Sequence, residues 1–107
     1  MGFEDHFDKI ADAELRHLEQ ALGEIDPDEL DVELSQGVLT CTFYDGQRLI
    51  INSHHAAGQI WMAAFRQAWH FTPREAGGTV EWRTEKDELH ATLKRMLKDR
   101  IGRDIAV

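Results

Sequence analysis

The hydrophobic periodicity changes twice along this chain, and the changes set the order of its secondary structure elements. In residues 3–23, apolar side chains recur at steps of three and four, which is typical of an amphipathic helix. Leu30-Asp31-Val32-Glu33-Leu34 alternates instead, and the segments that follow are short and rich in strand-forming residues. Residues 86–101 return to helical spacing. This order predicts an α+β fold, with both terminal helices on one face of an antiparallel sheet.

Turn signals divide the middle of the chain into about six strands. Gly37 and the Asp45-Gly46 pair mark two hairpins. The predicted strands span residues 30–34, 38–44, 48–52, 58–65, 68–72 and 79–84, and a loop is expected at 74–78. Gly23 is the expected stop of the first helix, and Thr84 is the expected cap of the second. We expect a single two-layer domain over residues 1–107.

Strand parity assigns the side chains to two faces of the sheet. The face predicted to meet the helices is apolar and consists of Leu39, Cys41, Phe43, Leu49, Ile51, Ile60, Met62, Trp69, Phe71, Val80 and Trp82. The face predicted to be open consists of Val38, Thr40, Thr42, Ile50, Asn52, Trp61, Ala63 and His70. An open-face Trp61, near Asn52 and Gln59, is typical of a contact anchor. The alternatives are that another segment covers Trp61, or that the register is shifted by one residue.

Acidic residues are crowded into the first third of the chain. Residues 1–33 contain 12 of the 20 carboxylates and two basic residues, a formal charge of −10, whereas the other 74 residues sum to +2. Like charges in a compact state repel one another, so this crowding favours a cationic ligand or a basic partner. The net charge of −8 argues against nucleic acid and anionic membrane surfaces as partners. An acidic surface that serves only solubility is the simpler alternative.

We call the densest part of this region the acidic ridge, and it comprises Glu19, Glu24, Asp26, Asp28, Glu29, Asp31 and Glu33. Asp5, Asp8 and Asp12 extend the same charge along the first helix. Glu24 and Asp26 follow the C-terminal end of that helix, where its dipole disfavours anions. Carboxylates are hard ligands that suit iron, manganese, magnesium and calcium, and the segment lacks the spacing of a calcium-binding loop. We expect weak, labile binding of ions at the surface.

No residue pattern indicates a dedicated catalytic site. The single cysteine, Cys41, excludes an internal disulfide and is expected to be a buried apolar residue. Among the histidines, His54-His55 is expected in a loop and His70 near Trp61. Glu14 falls within the apolar stripe of the first helix without an evident reason. With His17 it forms one Glu-x-x-His pair, whereas dedicated di-iron sites use two.

Four segments of the chain resemble the frataxin family, most closely its bacterial CyaY-type members. They are residues 37–43, 50–52, 59–63 and 69–71, which read Gly-Val-Leu-Thr-Cys-Thr-Phe, Ile-Ile-Asn, Gln-Ile-Trp-Met-Ala and Trp-His-Phe. The acidic first helix and first strand are the other hallmark, and Asp31 and Glu33 match it position for position. The resemblance implies an α-β sandwich that binds ferrous and ferric iron on the ridge. It also implies a role in iron–sulfur cluster assembly.

The resemblance further implies partners and a setting. The ridge would meet a basic surface of a cysteine desulfurase and its scaffold protein, and Asn52, Gln59, Trp61 and His70 would be partner contacts. The expected protein is a non-enzymatic monomer of the bacterial cytosol, and whether iron drives oligomerisation stays open. The alternatives are a surface ferroxidase, and a haem-binding or iron-storage protein that uses one of the histidines.

Overall fold

The computed structural model describes residues 6–107, and these form two α-helices, a short 3-10 helix at His55–Ala57 and a six-stranded sheet. The predicted helix residues 3–5, with Asp5, lie outside the described residues. The elements in chain order are α1 (Phe7–Leu22), β1 (Leu30–Ser35), β2 (Val38–Phe43), β3 (Arg48–His54), β4 (Gln59–Ala64), β5 (Gln67–Ala76), β6 (Thr79–Arg83) and α2 (Leu89–Ile101). Neither α-helix is long and apolar enough to cross a membrane.

The sheet is an antiparallel meander in which each strand pairs with its neighbours in the sequence, in the order β1 to β6. The predicted two-layer α-β sandwich is therefore confirmed. Two strand predictions were too short. β3 continues to His54. β5 continues to Ala76, because Gly77 and Gly78, both with positive φ, make a tight turn within the predicted loop at 74–78.

The core lies between the helices and one face of the sheet. The predicted helix-facing residues are buried, except that Val80 on the edge strand is half-buried. α1 contributes Phe7, Ala11, Leu15, Leu18 and Leu22 to this core. A shift of one residue in any central strand would move its buried side chains to the opposite face, so burial holds the register. The face assignments made from parity are confirmed.

The ends of the helices follow local hydrogen bonding. Gly23 ends α1, as predicted, and a Cβ at this position would lie 2.9 Å from the Glu19 carbonyl oxygen. The prediction for the start of α2 was wrong. Glu88 is its N-cap, and its carboxylate accepts hydrogen bonds from the backbone N–H groups of His90 and Ala91. Thr84 accepts instead from the N–H groups of Lys86 and Asp87 in the preceding turn.

A strained two-residue turn joins β4 to β5. Phe65 and Arg66 have φ values of 50° and 66°, in the left-handed region that Asn and Gly normally occupy in such hairpins. The Arg100 guanidinium lies 4.3 Å from the centroid of the Phe65 ring, and its Nη2 donates to Asp45 Oδ2 at 2.7 Å. Packing from α2 therefore holds this turn in place.

Candidate functional site

The acidic ridge follows one edge of the sandwich. Glu19 lies near the end of α1, the next four members lie between α1 and β1, and Asp31 and Glu33 lie on β1. Glu29 is half-buried, and the other six are exposed. The carboxylates predicted from the sequence thus form a surface that solvent ions can reach.

Asp26 organises the loop between α1 and β1. Its Oδ1 accepts a hydrogen bond from the Asp28 N–H at 2.9 Å, and its carbonyl oxygen accepts from the N–H groups of Glu29 and Leu30. Pro27 occupies the position after Asp26, where its fixed φ suits a turn. Three ridge residues are therefore held in a short, ordered turn.

Glu29 differs from the other ridge residues because it has an ion-pair partner. Arg103 Nη2 donates to Glu29 Oε1 at 2.7 Å, and Arg103 Nη1 donates to Oε2 at 2.9 Å. This two-point contact lowers the pKa of the Glu29 carboxyl. Among residues 6–107, no other ridge carboxylate has an ion pair.

Asp31 and Glu33 project from the open face of the sheet. They lie opposite Thr42 and Thr40 of β2, whereas Leu30 and Val32 lie opposite the buried Phe43 and Cys41. Because Asp31 and Glu33 are two residues apart on one strand, their Cα atoms are about 6–7 Å apart. The two members of the ridge on β1 therefore share the open face of the sheet.

The ridge has no preformed metal cage. Within residues 6–107, no three side chains of His, Cys, Asp or Glu converge on a point that could hold a metal ion. A cation on this surface would be held by one or two carboxylates, with water completing its coordination.

Three of the four predicted partner contacts form a row across the open face. Asn52 of β3 pairs with Trp61 of β4, which pairs with His70 of β5. Gln59 joins this row through a hydrogen bond from Trp61 Nε1 to its Oε1 at 2.9 Å. Gln59 Nε2 in turn donates to Thr72 Oγ1 at 3.2 Å. The four residues predicted from the sequence thus form one patch.

His54 belongs to the same patch, and its predicted position in a loop is wrong because it is the last residue of β3. Its ring stacks on the Trp61 indole with centroids 3.7 Å apart, and the His70 ring stacks on the indole with centroids 4.2 Å apart. Because each imidazole comes from a strand next to β4, both faces of the indole are covered and a partner would meet its rim. Parity would have identified His54, two residues after Asn52, if β3 had been predicted long enough.

Glu14 and His90 form a contact between the helices that sequence reasoning missed. Glu14 Oε2 lies 2.9 Å from His90 Nε2, and the Glu14 side chain is only 10% exposed. Hydrogen bonding to Glu14 raises the pKa of His90 to about 9, although partial burial opposes this shift. The carboxylate that interrupted the apolar stripe of α1 therefore neutralises a histidine on α2.

Two other side chains are accounted for by packing. Cys41 is buried, and desolvation raises the pKa of its thiol to about 12, so the thiolate is disfavoured near neutral pH. His55 lies in the turn after β3, and its Nδ1 is 2.7 Å from Asp8 Oδ1 of α1.

Comparison with known proteins identifies the family. A family model described as a frataxin-like domain matches residues 3–106. The chain belongs to the frataxin family. Among its relatives in that family are two bacterial proteins, both named iron-sulfur cluster assembly protein CyaY. The protein of Ralstonia pickettii is 33% identical over 108 residues, which cover 97% of this chain and 93% of the relative. The protein of Pseudomonas aeruginosa is 33% identical over 102 residues, which cover 95% of this chain and 94% of the relative.

A solved frataxin supports the fold. The frataxin from Psychromonas ingrahamii matches with a TM-score of 0.78 over 95% of this chain and 94% of that chain, at 20% identity. At this identity the likeness concerns the fold alone. The resemblance seen in the sequence is thus confirmed as frataxin-family membership.

Proposed function

We propose that this frataxin-family protein binds iron and acts in iron–sulfur cluster assembly. Ferrous and ferric ions bind weakly and reversibly to the acidic ridge, and the protein regulates or supplies a complex of cysteine desulfurase and scaffold protein. The names of its bacterial relatives support the process. Exposed oxygen ligands without histidine or thiolate support a hard cation.

The observation that carries this proposal is the position of Asp31 and Glu33 on the same sheet face as the Trp61 patch. A basic surface of a partner can lie against the β1 carboxylates while a neighbouring surface packs on Trp61. Charge steers the encounter of two proteins, and a central aromatic contact slows their separation. One flat face thus offers both components of a docking surface.

We further propose that the protein works as one domain, as a monomer in the bacterial cytosol, and is not an enzyme. The Glu-x-x-His pair that suggested a ferroxidase has its Glu14 bonded to His90, and the Glu14 side chain is only 10% exposed. Oxygen consumption in the presence of excess ferrous iron measures this point directly. Turnover well beyond the number of bound ions would favour the ferroxidase.

A charge-reversal experiment tests iron binding. The variant Asp31→Lys/Glu33→Lys should lose ferrous-iron binding measured anaerobically by NMR shift changes at residues 26–33. The control variant Glu75→Lys/Glu85→Lys makes the same change in net charge at exposed positions outside the ridge. An unchanged iron titration in the Asp31/Glu33 variant would refute the ridge assignment, and equal losses in both variants would reduce the effect to net charge.

A binding experiment tests the partner surface. Pull-down of cysteine desulfurase, with and without ferrous iron, should be weakened by Trp61→Ala by at least about tenfold, because truncating a central aromatic contact has an effect of this size. Tyr44→Ala is the matched control, since Tyr44 is 68% exposed on a hairpin outside the patch. Retention of full desulfurase binding by the Trp61 variant would remove the patch from the interface.

A further inference from the structure

The segment after α2 folds back onto the domain and reaches the ridge. Gly102, with φ of 89°, reverses the chain at the end of the helix. Ile105 and Val107 then pack against the hydrophobic core, and Arg103 extends to Glu29. The anchored apolar residues keep the Arg103 guanidinium close to the ridge.

Arg103 makes the kind of contact that a basic partner would make. A guanidinium fork fits a carboxylate through two parallel hydrogen bonds, and Arg103 and Glu29 form such a pair. The same guanidinium also lies within the electrostatic influence of Asp26. Within residues 6–107, it is the only cation paired with a ridge carboxylate.

We propose that Arg103 is an internal competitor for the ridge, which withholds Glu29 from metal cations and from guanidinium groups of a partner until one of them displaces it. The proposal rests on the cation-binding function proposed above. Displacement of Arg103 also releases residues 102–107 from their contact with the ridge, so ligand binding at the ridge should change the backbone NMR signals of these residues.

The contact is suited to displacement because it is open to solvent. The side chains of Arg103 and Glu29 are 50% and 37% exposed, so water and ions reach both. Exposed ion pairs are weak and are screened by salt. A multivalent cation therefore competes with Arg103 at modest concentration, and the pair attenuates the affinity of the ridge without abolishing it.

Removal of Arg103 tests the proposal. Arg103→Ala should bind ferrous iron, titrated anaerobically, about two- to fivefold more tightly than the parent protein, as expected for the loss of one exposed ion pair. Lys98→Ala is the matched control, because Lys98 pairs with Asp104 and not with the ridge. Lys98→Ala removes the same charge and one exposed ion pair from the same region, and the affinity of this variant for ferrous iron should stay close to that of the parent.

A second variant pair assigns the effect to Glu29. If Arg103 acts by occupying this carboxylate, Arg103→Ala should give no gain in a Glu29→Gln background. NMR of the parent protein should show ferrous iron shifting the backbone signals of residues 102–107 together with those of residues 26–33. Circular dichroism should be unchanged in all variants, since Arg103, Lys98 and Glu29 are outside the buried core.

The outcomes separate this proposal from the one on which it rests. If the parent protein binds iron on the ridge and Arg103→Ala matches either the parent or Lys98→Ala, the competitor role is wrong while iron binding stands. A gain that persists in the Glu29→Gln background also overturns it. If neither the parent nor any variant binds iron, the proposed function itself fails.

Discussion

Replacement of Glu14 by glutamine should destabilise the protein in a pH-dependent way. The pKa of His90 is about 9 in the folded protein, mainly because of Glu14, compared with an ordinary value of 6.5. A raised folded-state pKa means that the folded protein holds the proton more tightly than the unfolded chain does. The stabilisation is therefore complete below about pH 6.5 and is lost as the pH rises through about 9.

The size of the effect follows from the same two values. A shift of one pKa unit corresponds to about 1.4 kcal/mol, so the pair contributes about 3 kcal/mol at low pH as an upper estimate. The side chains are 27% and 10% exposed, so solvent screens this contact only partly. Glu14→Gln keeps the shape of the side chain and removes its charge. We expect the free energy of unfolding to fall by about 2–3 kcal/mol at pH 6.5.

Urea denaturation at pH values from 6 to 10 measures this prediction. The curves of the parent protein and Glu14→Gln should converge as the pH approaches 10, since His90 is then neutral in both proteins. Glu85→Gln serves as the control, because Glu85 is exposed and forms no ion pair among residues 6–107. The reasoning is refuted if the Glu14 variant has the stability of the parent at every pH, or if NMR shows His90 titrating at its ordinary value in the parent protein.

Salt, one turn residue and the buried thiol give three simpler tests. Partner binding through the ridge should weaken steeply above about 0.15 M salt, where screening acts over about 8 Å. The contribution of Trp61 to binding, measured by Trp61→Ala, should hardly change with salt. Salt-independent binding would exclude the ridge from the interface. Arg66→Gly should raise the free energy of unfolding by about 0.5–1 kcal/mol in urea titrations, because glycine adopts the left-handed conformation of the turn between β4 and β5 without steric cost. A lower free energy of unfolding in this variant would contradict the prediction. Cys41 should react with thiol reagents only in denaturant, because it is buried and its pKa is raised to about 12; rapid labelling of the folded protein would show an opening of the core.

The parts of the structure governed by burial were predictable from the sequence. Periodicity identified both helices, and parity placed residues such as Phe71 and Trp61 on the correct faces, because apolar side chains must share one layer. The end of β3 was missed because no glycine or proline marks it, and His54 was missed with it.

Contacts between distant polar residues were not predictable. Glu14 meets His90 across 76 positions and Arg103 meets Glu29 across 74, and no local pattern in a single sequence encodes such pairs. One indirect indication of such a pair was present in the sequence, because Glu14 lies at a position of α1 where the pattern predicts an apolar residue. A polar residue out of pattern on a buried face therefore indicates a partner on another element, without saying which one.

Protection of an edge strand explains why part of the acidic ridge is charged, but it does not explain why the charge is negative. β1 is an edge strand, and charged side chains on an edge strand discourage pairing with other chains. Lysine protects an edge as well as aspartate does, so protection alone accounts for the charge at residues 31 and 33 and not for its sign. It also leaves unexplained the acids at residues 24 and 26, which follow the negative end of α1 and lie off the strand. The Asp31→Lys/Glu33→Lys variant keeps the edge charged and reverses its sign. Edge protection is indifferent to that reversal, whereas attraction of a cation is not.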